Sequence, residues 1–325
     1  MTSVCHGSFL RERKLEMENI EKLFGLLNEH AEKIEKEQNI TLLEGLLDGL
    51  EAWLDGEVDF SQKDATKEDI RKAIQIAILK GMRKGSQPNH QMTPDTLGLL
   101  VGYFVEQIFA ESLENEKISI MDPAVGTGNL LLTVMNLLDG KVEATGVEVD
   151  ELLIRLAAAT ADLIEQPISL YRQDALEDLL VNPVDAVICD LPVGYYPNEE
   201  VALNYELCPA EGMSYAHHLF IEQSMNYTKD GGYLFFLAPS HLFESEQSKQ
   251  LHKYIQKHAW IQAIIQLPDS MFANKSLEKS LVILQKQSKE LKAPKEVLLA
   301  KVPNMQNKQA LALFFEKVKM WKEGK

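Results

Sequence analysis

The apolar residues of this chain keep a helical period up to the region around residue 90, and after it helical patterns alternate with strand-like runs. Before it they recur every three or four positions. Ile20, Leu23, Phe24, Leu27, Ala31 and Ile34 form one set, Leu43, Leu46, Leu47, Leu50, Trp53 and Leu54 a second, and Ile70, Ala73, Ile74, Ala77, Ile78 and Met82 a third. Each set lies on one face of a helix, which predicts an all-helical N-terminal domain over residues 17–88. Thr66-Lys67-Glu68-Asp69 reads as a capping-box start for the third helix. Residues 1–16 show no period and are expected to be a disordered lead, or sequence ahead of a start at Met17. Gly81–Asn89, with two glycines and a proline, reads as the linker that follows the helices.

Beyond it, Thr93 and Pro94 predict the N-cap and first position of another helix, through Leu97, Leu100, Val101, Phe104 and Ile108. Apolar runs at 118–122, 143–148, 168–172, 184–189, 233–238, 260–267 and 280–285 then alternate with helical patterns such as Leu152–Ile164 and Ala216–Tyr227. That alternation predicts an α/β domain over residues 89–325, a mostly parallel seven-stranded sheet with helices on both faces. Only a short loop containing Pro268 and Asn274 joins Leu267 to Leu281, too short for a parallel crossover, so the last strand is expected to run antiparallel. An amphipathic helix from about Lys308 to Lys322 closes the chain.

The stretch Met121–Leu132, MDPAVGTGNLLL, carries the clearest chemistry. A strand stops at Asp122, turns through Gly126 and Gly128 and enters a helix, whose first free N–H groups can face a ligand. Leu131 stands where a dinucleotide fingerprint has its third glycine, which disfavours a pyrophosphate. Glu148 ends the next apolar run, where a carboxylate can accept both hydroxyls of a ribose. These features point to a nucleoside-type cofactor without pyrophosphate. With Asp174 and Asp190, four acidic residues end successive runs on the side of a doubly wound sheet where ligands bind.

Composition narrows the alternatives. Cys5, Cys189 and Cys208 have no paired spacing and the eight histidines no HExxH pattern, so neither a disulfide framework nor a metal site is expected. No apolar run approaches the roughly 18 residues of a membrane span, and no signal-peptide core is visible, so a cytoplasmic location without membrane contact is expected. The net charge is −4 over residues 1–88, −21 over 89–246 and +9 over 247–325, making −16 in all. The acidic middle is poorly suited to hold a phosphate backbone by itself.

As a set, Asp122-Pro123-Ala124-Val125-Gly126-Thr127-Gly128, Glu148, Asp174 and Asp190-Leu191-Pro192-Val193-Gly194 resemble motifs I to IV of class I S-adenosylmethionine-dependent methyltransferases. They are most similar to the N6-adenine DNA methylases that include the modification subunits of type I restriction systems. Gln91-Met92-Thr93-Pro94 resembles that group's N-terminal motif, and the segments 231–240 and 267–272 its fifth and sixth strands. The likeness covers roughly residues 89–290. It implies that Met92, Thr93, Asp122, Pro123, Ala124, Gly126, Gly128, Asn129 and Leu130 hold the methionine end of the cofactor. It further implies that Glu148 and Val149 meet the ribose, and Asp174 and Ala175 the adenine. Asp190, Leu191 and Pro192 would orient the target amino group beside the methyl donor.

The fourth motif departs from the family's Asn or Asp, Pro, Pro, Tyr or Phe, because Leu191 replaces a proline and Val193 the aromatic that stacks on a flipped base. Tyr195 or Tyr196 would supply the ring. The resemblance implies methyl transfer to an amino nitrogen, with N6 of adenine in DNA as the leading acceptor. An RNA base, a protein amide, or a regulatory protein that binds cofactor without catalysis are the alternatives. With about 40 residues after Leu284, too few for a separate recognition module, a specificity subunit or the helical domain would read the DNA.

Overall fold

The computed structural model describes residues 2–85, 92–272, 274–304 and 307–324, with only the backbone at 2–15 and 276. Three helices come first: α1 (Thr2–Gln38), α2 (Leu42–Leu54) and α3 (Lys67–Lys84). Their apolar faces close a core of Leu23, Leu27, Leu46, Leu50 and Ile74, among others. At the start of α3 the capping box forms as expected, with Thr66 accepting from the Asp69 N–H and the Asp69 side chain accepting from the Thr66 N–H. One expectation is corrected here. The backbone is helical from Thr2, where a disordered lead was expected over residues 1–16. The segment holds no proline, and extending a helix already nucleated and packed at Asn19–Ala31 requires no new nucleus. Of the expected linker, residues 81–84 complete α3 and 86–89 lie outside the described residues, as does Gln91 of the motif that follows it.

The remaining chain forms α4 (Asp95–Asn115), β1 (Ile118–Asp122), α5 (Asn129–Leu137), β2 (Val142–Glu148), α6 (Glu151–Leu163), β3 (Ile168–Arg172) and β4 (Val184–Asp190). There follow a short α7 (Glu199–Ala202), α8 (Ala216–Asn226), β5 (Thr228–Pro239), α9 (Ser248–His258), β6 (Ala259–Gln266), β7 (Lys279–Lys286), β8 (Leu298–Lys301) and α10 (Lys308–Glu323). The strands make one sheet in the order β3-β2-β1-β4-β5-β7-β6-β8. From β3 to β5 all pairings are parallel, and β7 runs antiparallel to both β5 and β6, as the short preceding loop requires. The eighth strand, beyond the seven expected, adds parallel to β6 at the edge. It was missed because it is four residues long and buries only Leu298 fully, which leaves no apolar run to read.

Both faces of the sheet are covered. Alternate residues of β5 show why its sequence is almost continuously apolar: Phe235 and Leu237 enter the core under α4, α5 and α10, while Leu234 and Phe236 enter the one under α8 and α9. Helix α6 joins the N-terminal helices to the sheet, because Leu156 and Ala159 complete their core while Ala161 and Ile164 face the sheet-side core. The chain order reverses between β1 and β4, so the loops at their carboxyl ends diverge and open a crevice. Asp122, Glu148 and Asp190 are the last residues of β1, β2 and β4, and Asp174 lies two residues beyond β3.

Candidate active site

The crevice is a cleft of about 600 Å³, and all of the candidate residues named above except Gly128 line it. Gly128 serves the turn. It caps α5 with φ +82°, and an added Cβ would lie 3.2 Å from Cβ of Ala157 and 3.3 Å from Leu132. Gly126, at φ +55°, does line the cleft, and its N–H donates to Oε2 of Glu148 at 2.9 Å. The Asp150 N–H donates to Oε1 of Glu148 at 3.0 Å, so the carboxylate is fixed from two sides.

Asp122 is 1% exposed. Burial, with Asp190 and Glu148 nearby, pushes its carboxyl up to about 8, although the Ala124 N–H donating to Oδ1 at 3.1 Å works against the shift. The group is therefore a neutral acid at pH 7 in the free protein. Burial, with Asp122 and Asp190 nearby, raises the adjacent Cys189 thiol, which makes it unreactive. Asp174 accepts from the Leu176 N–H at 3.0 Å and from the Tyr196 hydroxyl at 2.6 Å.

Asp190 holds two partners at once. Its Oδ2 accepts from the Thr93 hydroxyl at 2.9 Å, and its Oδ1 pairs with the Lys279 ammonium. The first contact corrects the expected N-cap role of Thr93. Helix α4 begins at Asp95, Pro94 is its cap and no side chain caps it, so the threonine hydroxyl is free for the site. Thr93 is placed from below by Asn129, whose amide donates to the Thr93 carbonyl at 2.6 Å and to Asp95 at 3.0 Å. The buried Arg71 guanidinium in turn donates to Oδ1 of Asn129 at 3.0 Å and to Asp95 at 2.7 Å. The first helix turn of the sheet domain is thus locked to α3.

The altered fourth motif has a local reason at Leu191. Its N–H donates to the Leu237 carbonyl at 3.1 Å, extending the β4–β5 ladder, a bond proline cannot make. Val193 is exposed at the lip. The two tyrosines divide. Tyr196 is 7% exposed, with its hydroxyl on Asp174 and its N–H on the Ser214 carbonyl, so it packs the loop. Tyr195 is 54% exposed and stacks on Tyr215, with ring centroids 5.0 Å apart and planes at 15°. Sequence reasoning missed Lys279, because a lysine opening an apolar strand carries no signal of which cleft it enters, and it missed Tyr215 as the partner on which Tyr195 stacks.

The cleft presents five carboxyl groups, those of Asp122, Glu148, Asp174, Asp190 and Glu278, against the one lysine. Such a lining suits a ligand with cationic groups and sugar hydroxyls. The volume falls in the range of small-molecule sites, roughly 300–1,000 Å³. Among the described residues no group of three His, Cys, Asp or Glu could hold a metal ion. No helix of the described residues is long and apolar enough to cross a membrane.

Residues 93–319 match the model of the N-6 DNA Methylase family. The chain belongs to that family. It is 42% identical over 317 residues to the uncharacterized protein YtxK of Bacillus subtilis (strain 168), which covers 91% of this chain and 95% of that one. A Listeria monocytogenes protein assigned to the class I S-adenosylmethionine-dependent methyltransferases is similar at 42% identity, with a TM-score of 0.86 over 94% of this chain and 99% of its own. The methyltransferase subunit of a type I restriction-modification system from Streptococcus thermophilus shares the fold at 16% identity. Its TM-score is 0.64 over 87% of this chain and 61% of that one. Family and fold make this member of the N-6 DNA methylases an S-adenosylmethionine-dependent methyltransferase with a Rossmann-like sheet.

Proposed function

We propose that the protein transfers a methyl group from S-adenosylmethionine to an amino nitrogen, with N6 of adenine in DNA as the acceptor. The observation that carries this reading is the convergence of Asp122, Glu148, Asp174 and Asp190 on one cleft at the switch point of the sheet. The cofactor supplies an electrophilic methyl group on a positively charged sulfur. Glu148, already oriented by two backbone N–H groups, keeps lone pairs for the ribose hydroxyls. Asp174 takes the adenine end. Asp122 and the N–H groups of Thr127, Asn129 and Leu130 meet the ammonium and carboxylate of the methionine end, with Met92 and Thr93 closing over it.

At the acceptor end, Asp190 and the Leu191 carbonyl take hydrogen bonds from the target amino group and turn its lone pair toward the methyl. Positioning supplies most of the acceleration, so the site needs no strong base. Tyr195 offers the exposed ring that Val193 lacks, and base–aromatic stacking is worth about 1–3 kcal/mol. The acidic lining leaves the phosphate backbone to other surfaces: the basic stretch after residue 247, the helical domain, or a separate specificity subunit.

The lysine on Asp190 and the valine at the stacking position favour a second reading, a protein that binds cofactor in a regulatory role without transferring the methyl. Transfer to an RNA base or a protein amide uses the same chemistry at Asp190. Incubation with methyl-tritiated cofactor and separate DNA, RNA and protein fractions tests these readings. Label in DNA supports the first, label in another fraction moves the acceptor, and bound cofactor without label in any fraction supports the regulatory role.

A further inference from the structure

Lys279 is the first residue of β7 and pairs with Pro239 at the end of β5, while Asp190, at the end of β4, pairs with Leu237. The lysine therefore stands on the far side of β5 and extends its side chain across that strand's end to reach Asp190. The turn before it, Lys275–Leu277, is a single 3-10 turn, and Leu277, Glu278 and Lys279 all line the cleft. The two charged side chains are 15% and 16% exposed, so the pair is formed inside the cleft mouth rather than on the open surface.

An ionised carboxylate is only an acceptor, and each oxygen of Asp190 already has a donor: Thr93 on Oδ2 and Lys279 on Oδ1. The Thr93 hydroxyl comes from the buried, locked start of α4. The lysine comes on a flexible four-carbon stem. Its donor is an amino nitrogen, the same kind of group that the proposed reaction brings to Asp190. A target amino group approaching Oδ1 finds one of that oxygen's two lone pairs already taken by a donor of its own kind and crowds against it.

We propose that Lys279 belongs to the acceptor site, its ammonium holding the place of the acceptor's amino group on Asp190, and that an amino-bearing acceptor enters by displacing it. The proposal rests on the methyltransferase reading above. It makes Lys279 a specificity residue: a ligand without an amino donor has nothing to replace the ammonium on Asp190, and the lysine stays. An acceptor with the amino group gains the vacated oxygen and releases the side chain to solvent.

The test uses the full chain loaded with S-adenosylhomocysteine and a short oligothymidylate carrying one central deoxyadenosine or, as the control without the amino group, one central deoxyinosine. Lys279→Met removes the ammonium, and its loss of positive charge weakens both oligonucleotides equally, so the preference for deoxyadenosine over deoxyinosine is the readout. That preference should rise about tenfold in the variant, the scale of one charged hydrogen bond. In the wild type, the deoxyadenosine oligonucleotide alone should speed acetylation of Lys279 by acetic anhydride, read from the mass of its peptide; this arm does not depend on the variant's folding. An unchanged or smaller preference, or acetylation indifferent to the amino group, overturns the proposal while leaving the methyltransferase reading intact. Absence of S-adenosylhomocysteine binding to the wild type overturns that reading, and the proposal with it.

Discussion

Replacement of Asp122 by asparagine should change how stability depends on pH. In the folded protein burial raises the carboxyl from its ordinary 3.8 to about 8, so over that interval the native state holds a proton that the unfolded chain has released. A raised folded value contributes stability that is complete below the unfolded value and is lost as pH rises toward the folded one. Each pH unit between them removes about 1.4 kcal/mol, so between about pH 5 and about pH 7.5 the wild type should lose about 3 kcal/mol that the asparagine variant does not. Asparagine can still accept the Ala124 N–H and does not titrate. Urea unfolding of both proteins across that range measures the difference, in which contributions of other groups cancel. A difference independent of pH would refute the claim that Asp122 is a neutral acid in the free protein. On the proposed reading the cofactor's ammonium restores the ionised form, so near neutral pH binding should release up to one proton and its heat should vary with the ionisation enthalpy of the buffer.

Glu148→Ala should weaken S-adenosylmethionine by roughly 1–3 kcal/mol, the cost of losing charged hydrogen bonds, and Glu148→Gln by less; unchanged calorimetric affinity would remove Glu148 from the ribose site. Val193→Tyr should raise methyl transfer to DNA by adding a stacking ring at an exposed lip position, and an unaltered rate would show that Tyr195 already serves. Deletion up to Met17 removes the Glu16–Lys72 ion pair, which is partly exposed and worth about 0–1 kcal/mol, so the urea midpoint should move little. A large loss would mean that the first turns of α1 bury apolar surface.

The sheet was legible because most of its first seven strands are apolar runs, and three of them, β1, β2 and β4, end at an acid. A run buried on both faces needs no partner information to be read, as the alternation of Phe235 and Phe236 between two cores shows. The edge strand β8 has one buried face and four residues, and it left no trace. The acids at strand ends were legible for the same reason as the strands. Their partners were not. Thr93 sits 97 positions from Asp190 and Lys279 sits 89 away, and only the strand order brings them together. The choice between Tyr195 and Tyr196 turned on a single residue of phase in a loop, where no period exists to set it. Arg71 reads in sequence as a polar position on an amphipathic helix, whereas in the fold it is buried against Asp95 and Asn129.

The central claim is that Asp190 directs methyl transfer to an amino nitrogen of adenine. Its most direct measurement uses cofactor with a deuterated methyl group, adenine-containing DNA, and nucleoside mass analysis after digestion, with the wild type beside Asp190→Ala. Wild type should yield deoxyadenosine carrying the deuterated methyl on N6. Asp190→Ala should yield none while binding cofactor nearly as well, the pattern of an interaction made chiefly in the transition state. Label from the wild type on any other nucleoside, or an Asp190→Ala variant that still methylates adenine, would contradict the account.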